Sequence, residues 1–221
     1  MTLTVDKNVE KYEEIYRSGY DKKYPNLDLV RLEAWYFKKN PGMLLDFGAG
    51  TGANTIHMID AGYQVVAMDA AEESIDLMRR KIGDRATIMR VEPDATALPF
   101  ADATFDYVVC MSVLSLLETK ARIQAMINEF FRVLKPGGKI IADINGPEAE
   151  FSAHGQFIDE DTFEYKLRPD QEGNLRCYCP RTAEKFAELF HSFVTDDIGF
   201  SSFEYIGHKS NEFIVLAHKP Q

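Results

Sequence analysis

The sequence predicts an α/β fold with a doubly wound, mostly parallel seven-stranded sheet that ends in an antiparallel C-terminal strand. Short apolar runs alternate with segments of helical periodicity, and such alternation forms right-handed crossovers over a parallel sheet. A glycine-rich turn follows the first of these strands, as in many doubly wound sheets. The last two strand-like runs lie too close together for a crossover helix, so they should pair as an antiparallel hairpin.

The first forty residues predict a helical cap in front of the sheet. Its apolar side chains are expected to form a buried stripe of Leu29, Leu32, Trp35 and Tyr36. Strands and helices then alternate. The strands are predicted at 42–47, 63–69, 86–91, within 104–114, and at 139–146.

The helices between these strands carry recognisable signals. Helices are predicted over 53–62, where Gly62 is well placed as the C-terminal cap, and over 71–83. Apolar residues from Ile123 to Leu134 recur three and four positions apart, which is typical of an amphipathic helix. "KPGG" (135–138) should end that helix, because proline cannot continue it and glycine turns the chain.

A helix over 182–193 should precede strand-like runs at 198–210 and 211–219, which a polar turn separates. No repeat or low-complexity linker interrupts the chain, so residues 1–221 are interpreted as one domain. The domain is divided into a helical cap (1–40), a cofactor-binding core (41–145), a substrate loop (146–181) and a C-terminal helix with its hairpin (182–221).

The composition narrows the possible partners. The formal net charge of −10 argues against nucleic acid, which requires a concentrated basic surface, and favours a small or neutral substrate. No apolar run is long enough for a transmembrane helix, and the N-terminus lacks the apolar stretch of a signal peptide. Three cysteines do not make a disulfide framework, so a cytoplasmic location is expected.

Three acids surround the glycine-rich turn "MLLDFGAGTGANT" (43–55). Asp69 ends the second strand, where an acid can bind both hydroxyls of a ribose, and Asp94 follows the third strand, where it could accept a hydrogen bond from an adenine amine. Asp46 adds a negative charge that a pyrophosphate would not favour. These acids suit S-adenosylmethionine, which carries adenine, ribose and a cationic tail. The alternatives are a plain tight turn for the glycines and a capping role for Asp46.

Four ordered segments closely resemble the motifs of class I S-adenosylmethionine-dependent methyltransferases, of the small type 11 kind. They are "LLDFGAGTGANT", "VVAMDAAEESI", "DATALPFADATFDYVVCMSVLSLL" and "FFRVLKPGGKIIA". The resemblance is strong over residues 40–145, and the closing "NEFIVLAHKP" looks like the last, antiparallel strand of that Rossmann-like fold. It implies a methyltransferase with S-adenosylmethionine as cofactor and S-adenosylhomocysteine as product.

The resemblance implies a role for each matching position. Asp46 would neighbour the ammonium of the methionine part, directly or through water. Asp69 would bind the ribose hydroxyls, and Asp94 the adenine amine. Ala95 would donate its backbone amide to the edge of the adenine ring. The other positions implied for the cofactor are Gly48, Ala49, Gly50, Ala70, Cys110 and Met111.

The methyl acceptor should bind to segments outside the shared core. The long stretch 146–181 is of the kind that forms lids and binding loops. His154 within it is the first candidate for a substrate contact or base, with a solvated loop histidine as the alternative. Similar small methyltransferases fold a "Y…G…YP" preface over the cofactor pocket, so Tyr16 or Tyr24 could reach the methionine carboxylate. We assign Tyr24 to the cofactor and Tyr16 to the substrate, with plain ring packing as the alternative.

The sequence leaves other interpretations of the protein's function open. No general base is identified, and the Asn/Asp-Pro-Pro-Tyr/Phe motif of many N-methyltransferases is absent after the fourth strand. A binding module that transfers nothing is therefore one alternative. An NAD(P)-dependent oxidoreductase is another, although Asp46 and the Gly-x-Gly-x-Gly spacing disfavour it. Cys177 and Cys179 lack a nearby histidine, so a structural role is favoured over a metal site.

Overall fold

A computed structural model describes residues 7–38, 40–149, 155–165 and 174–221. Within these ranges the chain forms ten strands: β1 Met43–Phe47, β2 Gln64–Asp69, β3 Thr87–Arg90, β4 Phe105–Cys110, β5 Leu134–Asn145, β6 Gln156–Phe157, β7 Thr162–Tyr165, β8 Leu175–Tyr178, β9 Val194–Tyr205 and β10 His208–His218. The α-helices of the same ranges are α1 Lys7–Arg17, α2 Leu27–Leu32, α3 Ala53–Asp60, α4 Glu72–Ile82, α5 Lys120–Val133 and α6 Ala183–Ala187.

Seven of the described strands form one sheet in the order β3-β2-β1-β4-β5-β10-β9. The first five are parallel to their neighbours, and β10 is antiparallel to both β5 and β9. The predicted fold class is therefore confirmed. Strand order reverses between β1 and β4, and in such sheets ligands bind beyond the carboxyl ends of the strands at this point.

Both faces of the central strands β1 and β4 are buried, as the apolar runs predicted. Leu45 and Val108 pack with Phe130 of α5 on one face. Leu44 and Val109 alternate with them in sequence and belong to a second cluster on the other face. Alternation along each strand thus supplies two cores, which explains why the strands are almost continuously apolar.

The predicted stripe of the N-terminal cap is wrong at Trp35. The chain forms a π-helix at Glu33–Phe37 after α2, and this wider turn brings Phe37 into the core. Leu29 is buried as predicted, and Leu32 and Tyr36 are partly buried, but Trp35 is 69% exposed. The predicted stripe assumes that apolar residues recur with α-helical spacing, and this spacing does not hold through the π-helical turn.

The chain around "KPGG" leaves α5 and enters the sheet directly. Helix α5 ends at Val133, one residue before the last position of the predicted helical pattern, Leu134. Phe105 pairs with Leu134 and Tyr107 with Lys139, so the intervening residues bulge out of the ladder. Strand β5 therefore begins before the proline rather than after the glycines.

The C-terminal hairpin turns earlier than predicted. Its turn lies at Ile206 and Gly207, whose φ angles are +52° and +79°, and β10 begins at His208. Two successive residues with positive φ form the tight turn that matches the twist of paired strands. The polar stretch around Ser210 and Asn211 was expected to turn, but both residues are buried within β10.

The segment 146–181 contains a second sheet that the sequence did not predict. Strands β6, β7 and β8 pair antiparallel, and Phe163, Leu175 and Cys177 form a small core between them. Tyr12 of α1 packs against this core. Cys177 and Cys179 are both buried, and the described ranges contain no group of three potential metal ligands. Nor does any helix in those ranges have the length and apolar character needed to cross a membrane.

Candidate functional site

Two adjoining cavities open at the carboxyl edge of the parallel strands. Cavity A, of about 400 Å³, lies beyond the ends of β2 and β3 and reaches α5. Cavity B, of about 590 Å³, extends from the glycine turn after β1 toward β5 and β10. Both volumes are typical of small-ligand pockets. The residues that line both cavities are Tyr12, Tyr16, Gly48, Ser112 and Leu116.

The glycine turn between β1 and α3 uses its backbone donors internally. Gly48, Gly50 and Gly52 all have positive φ, which the tight turn requires. The amides of Gly48 and Ala49 donate to the Met68 carbonyl at 2.8 and 2.9 Å. The Gly50 amide donates to Asp69 Oδ2 at 2.7 Å. None of these three amides is therefore left to cradle a phosphate.

Asp69 joins the glycine turn to cavity A. Its Oδ1 accepts from the Ala71 amide at 2.9 Å, while its Oδ2 accepts from Gly50. The side chain lines cavity A although the residue is only 9% exposed. Burial raises the pKa of this carboxyl, and the backbone donors partly offset that effect. Two fixed amides thus orient a carboxylate at the cavity wall.

The predicted cofactor residues divide between the two cavities. Asp69, Ala70, Asp94 and Ala95 line cavity A, whereas Ala49, Gly50 and Met111 line cavity B, and Gly48 lines both. Tyr16, which was assigned to the substrate, also lines both cavities. One detail is corrected, because the Ala95 amide already donates to the Glu92 carbonyl at 3.0 Å. Ala95 can therefore supply an apolar wall rather than a donor to a ring edge.

Asp46 lies beneath the glycine turn and lines neither cavity. The residue is 1% exposed, and its Oδ2 accepts a hydrogen bond of 2.6 Å from the Thr55 hydroxyl of α3. Burial raises the pKa of Asp46 to about 6. These contacts favour the interpretation that Asp46 fixes the glycine turn to α3. Any electrostatic effect of Asp46 on a bound cation would act at a distance or through a water molecule.

Asp46→Asn is expected to stabilise the free protein at pH 8 but not at pH 4. The folded pKa of about 6 lies above the ordinary 3.8, so Asp46 lowers the stability of the native state progressively as the pH rises from about 4 to 6, and the full cost is present above pH 6. A pKa difference of this size corresponds to about 3 kcal/mol. Asparagine keeps an oxygen for the Thr55 hydroxyl. Urea unfolding at both pH values measures the effect, with the exposed Asp84→Asn as control. Lower stability at pH 8 would contradict it.

Three other predicted positions lie elsewhere. Cys110 is fully buried in the core of the α5 face and does not line either cavity. Tyr24 is 78% exposed and also lines neither cavity, so the structure gives no support for its assignment to the cofactor. The turn that carries Tyr24 points it outward, whereas Tyr16 is held on α1. His154 lies outside the described residues.

Helix α1 lines both cavities and is fastened to neighbouring elements near its start and at its middle. Asn8 donates to the carbonyls of Leu116 and Arg176 at 2.8 and 2.7 Å. Glu13 accepts from the amides of Glu72 and Glu73 at the start of α4. A Cβ placed on Gly50 would lie 3.2 Å from the Tyr16 hydroxyl, so this hydroxyl reaches the glycine turn.

Two carboxylates near cavity B were missed from the sequence. Asp143 of β5 is 1% exposed, its Oδ1 accepts from the Ser112 amide, and its Oδ2 has no hydrogen-bond partner among the residues that the structure describes. Glu212 of β10 lines cavity B. Burial raises the pKa of both groups, and each carboxylate lies close enough to other acids to add repulsion. A signal existed in the sequence, since Asp143 interrupts the apolar strand "KIIADIN" and Glu212 directly precedes the apolar run of "NEFIVLA".

Residues 45–142 match the family described as a methyltransferase domain. The chain is 34% identical over 164 residues to the cypemycin N-terminal methyltransferase of a Streptomyces species, covering 72% of this chain and 64% of that protein. It is 28% identical to the putative methyltransferase YqeM of Bacillus subtilis over 66% of this chain and 61% of that protein. It therefore spans less than two thirds of the length of either relative.

The fold also matches solved structures. A Burkholderia thailandensis 1,6-didemethyltoxoflavin-N1-methyltransferase, determined with S-adenosylhomocysteine bound, superposes with a TM-score of 0.70 at 18% identity. The superposition covers 96% of this chain and 87% of that one. At this identity the match shows the fold. Together with the matching domain and the relatives, it confirms the resemblance drawn from the four sequence motifs.

Proposed function

This chain belongs, through residues 45–142, to the class I S-adenosylmethionine-dependent methyltransferases, and we propose that it transfers a methyl group from that cofactor to a small-molecule acceptor. The adenosine part would occupy cavity A and the methionine part would pass Gly48 into cavity B. The acceptor would enter cavity B from the side of β5 and β10.

The donor pattern of the glycine turn is the observation that carries this proposal. A pyrophosphate needs free backbone amides at such a turn. Here the amides of Gly48, Ala49 and Gly50 are bonded to Met68 and Asp69. These residues fit a ligand without phosphate. Its ribose would contact Asp69, and its cationic part would lie beside a turn whose amides are already bonded. The NAD(P)-dependent alternative is correspondingly disfavoured.

The side chains of cavity A fit an adenosine group. Ala70, Val91 and Ala95 supply apolar walls for a flat ring, and Asp94 at the edge can accept a hydrogen bond from an exocyclic amine. Asp69 would accept hydrogen bonds from the ribose hydroxyls with the oxygen lone pairs that its amide partners leave free. Ser112 and Val113, which follow β4, form the opposite wall.

The chain's contribution to transfer would be orientation and exclusion of water. When bound, S-adenosylmethionine supplies an electrophilic methyl group that a nucleophile takes by in-line displacement. Gly48 and Tyr16 lie where the two cavities meet, so they would hold the reacting groups in line. Tyr12, Tyr16 and Leu116 close the site from above and would keep water from the acceptor.

Ligand-induced thermal stabilisation tests the proposal. S-adenosylhomocysteine is expected to raise the melting temperature, by an amount that grows with the logarithm of its concentration above Kd, because only the folded site binds it. NADH is expected to leave the melting temperature unchanged. Methyl transfer from labelled S-adenosylmethionine to an acceptor panel then separates an enzyme from a binding module. Stabilisation by NADH alone would refute the cofactor assignment. Binding without transfer to any acceptor would favour the module.

A further inference from the structure

We propose that Glu212 binds the methyl acceptor and removes a proton from it, and that the acceptor is an amine. This inference rests on the proposed function, since it concerns the acceptor side of the same site. It assigns a proton acceptor, which the sequence motifs did not identify.

Glu212 is placed on the acceptor side by the sheet. It lies opposite Asn145 in the antiparallel pairing of β10 with β5, at the carboxyl edge of the parallel strands. Both side chains line cavity B, and so does the glycine turn. A molecule bound between them would therefore contact the cofactor side through Gly48 or Gly50 and the acceptor side through Glu212.

The Glu212 carboxylate is available to a ligand. Among the described residues, none forms a hydrogen bond or ion pair with it. The charged groups that interact electrostatically with Glu212 are Asp28 of α2, Asp143 of β5 and Lys22 of the loop between α1 and α2. Asp28 pairs with Arg31 at 3.1 Å, which leaves Glu212 and Asp143 as the two carboxyl groups of this set without an ion-pair partner among the described residues. Burial raises the pKa of Glu212 further. A half-buried carboxylate in this setting becomes more favourable when a cation binds beside it.

The walls of cavity B also suit a cation. Tyr12, Tyr16, Tyr20, Tyr165 and Phe203 all line it. The faces of aromatic rings attract ammonium groups, and the attraction grows as water is excluded. A protonated amine is therefore recognised twice, by the rings and by the carboxylate. A neutral alcohol would gain little from either.

Glu212 would convert the bound ammonium into a nucleophile. The carboxylate takes one proton from the acceptor nitrogen, and the nitrogen lone pair then forms the bond to the methyl carbon. The bond between that carbon and sulfur breaks, and its electrons stay on the sulfur, which becomes a neutral thioether. The proton on Glu212 leaves to solvent after the product departs. No oxidant, reductant or further reactant is needed.

The test compares Glu212→Gln with Glu204→Gln, an exposed glutamate on the same hairpin. A panel of aromatic and aliphatic primary amines, each paired with its matching alcohol, is titrated against protein saturated with S-adenosylhomocysteine. At least one amine should bind the wild type and be methylated when S-adenosylmethionine is supplied, whereas its alcohol should not. Glu212→Gln should weaken that binding roughly tenfold through the lost charged hydrogen bond.

Kinetic readouts distinguish proton transfer from a structural role. Glu212→Gln should lower kcat roughly 100-fold and remove the rise of kcat/KM with pH on the acid side. Glu212→Asp should restore part of the rate, and the affinity for S-adenosylhomocysteine should match the wild type in all three variants. Methylation of alcohols or carbon acids in preference to amines would overturn the proposal, as would behaviour of Glu212→Gln like that of Glu204→Gln.

Affinity for the cofactor separates this proposal from the function on which it rests. If Glu212→Gln loses S-adenosylhomocysteine binding, then Glu212 holds the cofactor and the acceptor role is wrong. If the wild type itself fails to bind S-adenosylhomocysteine, the proposed function fails first. Amine binding to a protein that does bind it supports both.

Discussion

Replacing Asp69 by alanine is expected to lower the affinity for S-adenosylhomocysteine roughly 100-fold or more, because two hydrogen bonds from ribose hydroxyls to a carboxylate are lost. The affinity of the wild type is the reference, and isothermal titration calorimetry measures both. The same variant frees the Gly50 amide, which now donates to Asp69 Oδ2 at 2.7 Å. The glycine turn should therefore lose part of its fixed shape, and the binding enthalpy should fall.

The fold itself should survive this substitution. Asp69 is a buried acid, and desolvation disfavours its carboxylate. Its removal therefore relieves that desolvation cost but loses the hydrogen bonds from two backbone amides. Far-ultraviolet circular dichroism should match the wild type. The control is Asp84→Ala, which removes an exposed acid just after α4. Equal affinity in Asp69→Ala and the wild type would refute the assigned ribose contact.

Gly48→Ala is expected to destabilise the protein by about 2–4 kcal/mol, the sum of a left-handed backbone conformation and an overpacked contact. Gly48 has a φ of +72°, and a Cβ there would lie 2.1 Å from a methyl carbon of Val113. Because Gly48 lines both cavities, cofactor affinity should also be lost. Chemical denaturation and calorimetry measure the two effects.

Two further variants separate the backbone cost of Gly48→Ala from the cost of its contact with Val113. Gly19→Ala has a φ of +94° but no atom within 4 Å of the added carbon, so it should show only the backbone cost. Val113→Ala in the Gly48→Ala background removes the two clashing methyl groups but leaves Cβ at 3.0 Å, so rescue should be partial. If Gly48→Ala is as stable as Gly19→Ala, the close packing against Val113 does not matter.

The parts of the site that depend on local chain geometry were predictable. Gly48 directly follows β1 and Asp69 is the last residue of β2, and parallel strands carry their carboxyl ends to one edge regardless of the rest of the fold. The amphipathic pattern of α5 is likewise set within its own sequence. For these elements, periodicity and position after a strand were sufficient.

The parts that depend on contacts between distant segments were not predictable. Trp35 is exposed because a π-helical turn, stabilised by packing of Phe37, replaces the expected spacing. Strands β6 to β8 are short and become a sheet only through their mutual pairing and the contact with Tyr12. Glu212 reaches cavity B only because β10 pairs with β5 in one register, which the sequence does not state.

Asp46 shows how burial can change an interpretation based on charge. The acid was the sequence feature that argued most directly against a phosphate ligand. In the structure it lies beneath the turn and is bonded to Thr55. The same conclusion about phosphate now rests on the occupied amides of Gly48, Ala49 and Gly50 instead.

A crystal structure of the protein with S-adenosylhomocysteine tests the central claim most directly. The account predicts adenine in cavity A beside Asp94, ribose hydroxyls on Asp69, and the sulfur at Gly48 facing into cavity B. Glu212 should then lie across cavity B from the sulfur, with room for an acceptor between them. Density for the ligand outside both cavities, or a ribose without contact to Asp69, would contradict the account.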